Sequence, residues 1–204
     1  MPPVRSAFLP SFLLVLLLTA APAAAQLSTT RGLTLGLHLS GASLVVEGED
    51  RNEGGGLGLR VGYGSSRIVT LFLQLDGAQV EVPSSDALQG EWSMGHVELG
   101  ARFHFASTLR RWVPYLQAAL AGRVVGVDDA VLNEEPVDDV SFNGGGFSVG
   151  GGLSFYLREA LALDLHLMWT GGEFTEIEVG NQSVSGLDID AQSTRLNLGL
   201  AWWP

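Results

Sequence analysis

Apolar residues alternate with polar or small ones along most of the chain. Leu33, Leu35, Leu37 and Leu39 stand opposite Thr34, Gly36, His38 and Ser40, the period of two that sends neighbouring side chains to opposite faces of a strand. Leu57, Leu59, Val61 and Tyr63 oppose Gly58, Arg60, Gly62 and Gly64 in a second stretch. A third sets Val69, Leu71, Leu73 and Leu75 against Thr70, Phe72, Gln74 and Asp76. There the apolar positions change phase, to Ala78, Val80 and Val82, so a bulge is expected at Gly77. In the fourth, Val97, Leu99, Ala101, Phe103 and Phe105 face away from His96, Glu98, Gly100, Arg102 and His104. Leu116, Ala118, Leu120 and Val124 oppose Tyr115, Gln117, Ala119, Ala121 and Arg123 in the fifth. The sixth and seventh carry Phe147, Val149, Leu153, Phe155 and Leu157, then Leu161, Leu163, Leu165, Leu167 and Trp169, and the closing Arg195–Pro204 is the eighth. Leucine favours helices, but a helix would scatter these residues around its circumference.

The connections alternate as well. Short joints fall around residues 65–67, 107–111 and 158–159, and longer polar stretches around 48–56, 83–91, 127–144 and 171–192. Eight strands joined this way predict an up-and-down antiparallel barrel with its long loops at one end and both termini at the other.

Which face meets lipid is decided by three features. The leucine face is almost free of charge, while the opposite face carries Arg60, Arg102, Arg123 and Arg195 with Asp76, Glu98 and Asp164 among Gly, Ala and Ser. A water-facing surface would be denser in charge. Small residues suit the crowded lumen of an eight-stranded barrel, and aromatic residues gather at strand ends in two groups, near the short turns and near the long loops. Trp92, Trp112, Trp169 and Trp202 are therefore expected in interfacial girdles, with Phe174 beside Trp92 and Trp169 at the long-loop end. Lipid cannot satisfy backbone hydrogen bonds, so a closed barrel is the strand solution that spans a bilayer.

The N-terminal segment adds a destination. Arg5, the apolar run from Phe12 to Leu18 and Ala23-Ala24-Ala25 form a secretory signal, too short in its apolar part for a spanning helix. Cleavage after Ala25 is expected, leaving residues 26–204 as one outer-membrane barrel domain in a Gram-negative-type envelope.

Composition narrows the function classes. There is no cysteine, which excludes disulfides, thiol chemistry and a lipidated cysteine. The 11 basic residues are all arginine, and the formal charge of −11 argues against a nucleic-acid partner. Glycine is abundant at 27 residues, yet no G-x-G-x-x-G phosphate motif occurs.

"VPYLQAALAG" at 113–122, "FSVGGGLSFYL" at 147–157, "LALDLHLMW" after a tight turn and the closing strand resemble the small eight-stranded outer-membrane barrels of the OmpA/OmpX type. The resemblance implies a C-terminal signal read by the barrel-insertion machinery, which Asn197, Gly199 and Trp202 fit; Pro204 stands where that family prefers an aromatic end. It also implies a porin-like or structural envelope protein in contact with outer-membrane lipid and lipopolysaccharide.

Candidate chemistry lies on the inner face. Arg60, Glu98, Arg102, Arg123, Asp164, His166 and Arg195 are expected to form an ion-pair and hydrogen-bond network that plugs the lumen, since barrels of this size leave no aqueous channel. His38, His96, His104 and His166 also point inward, on three different strands, and no metal or other cofactor is expected. His38-Leu39-Ser40 resembles the His-x-Ser pair of lipid A deacylases, but here it lies on the first strand facing the lumen, away from acyl chains. Most acids fall in the long connections, Asp128, Asp129, Glu134, Glu135, Asp138 and Asp139 among them, without the Asp-x-Asp-x-Asp-Gly spacing of a calcium loop. The expected function is thus a monomeric structural or surface-interaction barrel without catalysis. The alternatives are a narrow pore or transporter for small or hydrophobic molecules and, third, a lipid A-modifying enzyme.

Overall fold

A computed structural model describes residues 29–46, 51–82, 88–105, 111–132, 135–136, 140–180 and 182–204. The signal segment, residues 106–110 of the expected joint around 107–111, and Glu134, Asp138 and Asp139 lie outside the described residues. Eight long strands follow in order: β1 (Gly32–Val46), β2 (Asn52–Gly64), β3 (Val69–Glu81), β4 (Leu88–His104), β5 (Trp112–Leu132), β6 (Val140–Arg158), β7 (Leu161–Val179) and β8 (Gln182–Trp202). Each pairs antiparallel with the next, and a two-residue return at Glu135–Pro136 pairs with the end of β5. The ring closes between β1 and β8, from Leu35 opposite Trp202 to Val46 opposite Ala191.

Around the middle of the barrel the leucine faces point outward. Leu37, Leu59, Leu71, Leu99, Leu120, Leu167 and Leu198 are all exposed, as an apolar band meeting lipid must be, while Thr34, Arg60, Gln74, Glu98 and Arg195 are buried inside. Short turns end this band on one side. Ser66 makes one of them, its hydroxyl accepting from the backbone N–H groups of Ile68 and Val69.

On the other side the strands run on. β5 and β8 are 21 residues long, about twice the 9–11 a strand needs to cross the hydrocarbon core. The polar stretches around 127–144 and 171–192, expected as loops, are largely strand: β6 pairs with β7 as far as Val140 opposite Val179, and β7 with β8 as far as Val179 opposite Gln182. Outside the apolar band the amphipathic pattern reverses sign. Along β3 the inner residues change from Thr70, Gln74 and Asp76 to Ala78 and Val80, and the outer ones from Leu71, Leu73 and Leu75 to Gly77, Gln79 and Glu81. β1, β4 and β5 reverse likewise, through Ala42 and Leu44, Met94, and Val125 and Val127.

This reversal corrects two expectations. Gly77 is no bulge: its register runs on unbroken, opposite Leu57 on one side and Gly95 on the other. The apolar residues change phase because the solvent outside the wall changes from lipid to water. For the same reason Trp92 and Phe174 are not in an outer girdle. Both point inward, Phe174 buried and Trp92 half-buried, against Leu44, Val80, Met94 and Val125. Trp112, Trp169 and Trp202 do face outward; Trp112 packs on Phe155 at 4.5 Å between ring centroids and Trp169 on Phe147 at 5.4 Å.

Candidate functional site: the barrel interior

The interior is filled in three layers. At the end bearing the chain terminus, Val113, Tyr156, Ala162, Ala201 and Trp203 form an apolar floor. Trp203 follows the inward parity of Asn197 and Ala201, stacks on Tyr156 at 5.3 Å, and donates its backbone N–H to Ala160 O at 2.8 Å. Its neighbour Trp202, of the opposite parity, lies outside.

The middle layer is polar and built from two ion triads. In the first, Asp164 on β7 lies between two arginines. Arg102 donates from both terminal nitrogens to its two oxygens at 3.2 and 3.1 Å, and Arg60 approaches to 3.8 Å. Tyr115 and Ser154 donate their hydroxyls to the same carboxylate at 2.7 and 2.6 Å. The Arg102 guanidinium also lies over the Tyr115 ring at 3.6 Å, a cation–π contact. In the second triad the charges are inverted, with Arg195 on β8 donating to both Asp76 and Glu98. Ser148 donates to Glu98, and Thr170 accepts from Arg195 at 2.9 Å.

Gln74 links the triads: its amide oxygen accepts from Arg60 Nε at 2.7 Å and its amide nitrogen donates to Asp76 at 2.7 Å. His166 completes the join. It lies 3.2 Å from Asp164 and 2.8 Å from the Asn197 amide nitrogen, with its ring 5.5 Å from that of His38, which in turn bonds Asp76 at 2.6 Å. Of the seven residues expected in the network, Arg60, Glu98, Arg102, Asp164, His166 and Arg195 meet here. Arg123 stands apart, on the boundary with the layer above. Asp76, Gln74, Tyr115 and Ser148 were not singled out as members, although face parity alone placed them inward.

Little space is left. A void of about 20 Å³ between Arg60, His38, Arg102 and Asp164 has room for about one water. Above lies the third layer, the apolar cap of Ala42, Leu44, Val80, Met94, Val125, Phe174 and Ala191. Ser40 is buried and faces the same lumen, so the His38–Ser40 pair has no lipid-facing side.

Asn197 and Gly199 also have structural tasks. Asn197 bonds His166, and any side chain on Gly199 would run into Leu37 O and the backbone of His38, so only glycine lets β8 close against β1. On the water-facing part of the wall, Glu53 stands directly opposite Glu81, and Glu91 opposite Asp128.

An apolar belt outside, buried ion triads inside and a closed ring of antiparallel strands define a transmembrane β-barrel. The chain belongs to the outer membrane protein beta-barrel domain family, whose model matches residues 11–202, and it is an outer-membrane protein. No curated protein matches its sequence. Among solved structures it is similar to Neisserial surface protein A (NspA), at 16% identity and a TM-score of 0.62 over 84% of this chain and 96% of that one. OprG from Pseudomonas aeruginosa gives 13% and 0.56 over 86% and 97%. Ail, the attachment invasion locus protein of Yersinia pestis, gives 11% and 0.54 over 84% and 99%. At these identities the likeness is one of fold.

Proposed function

We propose that this protein is a monomeric envelope barrel with a structural or surface-interaction role, without catalysis and with a lumen closed to solutes. The observation that carries this reading is the pair of interlocked triads, Arg60–Asp164–Arg102 and Asp76–Arg195–Glu98, which span the interior between two apolar layers. Buried charges are tolerated only when paired and hydrogen-bonded, and here most of the pairing spans the lumen between strands that are not neighbours. Such a network holds the wall together and blocks water at once. Working parts would then lie at the exposed end, where the strands project beyond the bilayer and acids face each other across the sheet. Like charges opposite one another are unfavourable, which supports bridging by divalent cations to lipopolysaccharide phosphates. In the same reading the mature chain is residues 26–204, and Asn197, Gly199 and Trp202 are read by the insertion machinery.

Reconstitution of the folded wild-type barrel into planar bilayers tests this. The expected record is a flat baseline, and regular conductance steps would overturn it.

A second reading, uptake of hydrophobic molecules, is favoured by one feature of the wall. A depression of about 450 Å³ lies there, with Leu75, Val97 and Val124 on its apolar side and Asp76, His96, Arg123 and Asn143 on its polar side, at the level where the interior turns apolar. Uptake of a fluorescent alkane derivative by vesicles containing the protein, above that of empty vesicles, would support it. The His38–Ser40 pair gives little support to lipid A hydrolysis, and absence of acyl release from purified lipid A is expected.

A further inference from the structure

The buried interior holds four arginines, Arg60, Arg102, Arg123 and Arg195, against three carboxylates, Asp76, Glu98 and Asp164. Arginine against carboxylate, one cation is left over. Two triads use three of the arginines and all three carboxylates, so the surplus falls on Arg123.

Arg123 is 4% exposed, and its Nη1 donates to the Ala191 carbonyl at 2.9 Å. Its guanidinium lies 4.9 Å from the Phe174 ring centroid. Nε and Nη2 have no partner, and among the described residues no carboxylate forms an ion pair with it. Directly opposite on β4 is His96, whose Nε2 meets the Ser193 hydroxyl at 3.0 Å and whose Nδ1 is free. A desolvated guanidinium with two unused donors is among the costliest arrangements a fold can hold. A carbonyl dipole and a ring face offset only part of that cost, because neither carries a full negative charge.

The geometry points to a bound monovalent anion at Arg123, held by Nε and Nη2 beside His96 and Ser193, under the apolar cap of Leu44, Val80, Met94, Val125 and Phe174. The ligand class is a halide or a small carboxylate such as formate, which share one negative charge and a small size; Arg123 and His96 both line the wall depression of about 450 Å³, which gives such an ion room. The site adds a ligand to the closed lumen proposed above. Its failure leaves that reading standing, because conductance and anion dependence are separate measurements.

Thermal unfolding of the refolded barrel in detergent is measured at constant ionic strength while sodium gluconate, too bulky for the site, is replaced by chloride, bromide or formate. A ligand that binds only the native state raises the midpoint progressively with its concentration. The midpoint is expected to climb by several degrees in the wild type and to be independent of the anion in R123M. Ser193 points inward two residues along β8 from Ala191, the residue that Arg123 bonds, so S193D places a carboxylate beside the guanidinium. S193D is expected to melt higher than wild type in gluconate and to lose the anion response, which decides the matter even where R123M does not fold. A response to chloride against formate separates the two ligand types. Equal midpoints in all salts for the wild type, or an equal response in wild type and S193D, would overturn the site.

Discussion

The two halves of this barrel share strands, register and ring closure, yet they are inside-out versions of one another. In the lipid-crossing half, leucines face out and Arg60, Gln74, Glu98, Asp164 and Arg195 fill the interior. In the projecting half, Ala42, Leu44, Val80, Met94 and Phe174 fill the interior and acids such as Glu81, Glu91 and Asp128 face out. A strand imposes only alternation; the surroundings decide which parity is apolar. The two halves must therefore be stabilised differently. In the projecting half the hydrophobic effect acts toward the interior, whereas in the lipid-crossing half both outer and inner faces are matched to their surroundings only if the buried charges stay paired.

The largest effect that would sharpen this contrast is loss of Asp164. D164A leaves Arg60 and Arg102 buried without a carboxylate, and breaking a buried ion pair costs about 3–5 kcal/mol. Equilibrium urea unfolding in lipid vesicles should show a loss of that size, and a loss below about 1 kcal/mol, the scale of an exposed pair, would refute the account of the lower half. In the projecting half, F174A opens a cavity in the cap and should cost somewhat less than the roughly 3–5 kcal/mol of a Phe truncation in a rigid core, since the hairpin that carries it can relax. The same urea titration compares the two. A smaller loss, on the order of 1–3 kcal/mol, is expected for G58A. Its new methyl would press on the His38 ring and the Asp76 carboxylate, and H38A in the same chain should restore part of the stability. Smallest of all should be the asymmetry between the terminal tryptophans. W203A removes a floor residue stacked on Tyr156 and should lower the melting midpoint in detergent, while W202A, on the outer surface, should leave it nearly unchanged.

Most of this architecture was legible in the strand parity. It separated the lipid face from the lumen, and it put Arg60, Glu98, Arg102, Asp164, His166 and Arg195 on one inner surface. What parity cannot supply is distance around the ring. Nothing in the sequence says that Arg195 meets Asp76 and Glu98 while Arg102 and Arg60 share Asp164, because those contacts cross the lumen between distant strands. Trp92, Phe174 and Gly77 were misread for another reason. Each lies beyond the level where the wall leaves the lipid, and one rule for the outer face was carried past that boundary. The long connections were misread there too, since strands that project into water carry polar residues outward and look like loops.

The central claim is that the ion triads are a structural plug and not the lining of a pore. The measurement that tests it most directly is the paired determination, on one E98A preparation, of unfolding free energy in vesicles and conductance in planar bilayers. Glu98 is wholly buried and accepts from both Arg195 and Ser148, so its removal should lower stability by about 2–4 kcal/mol while any conductance stays near the wild-type baseline. A large rise in conductance with undiminished stability would contradict the claim.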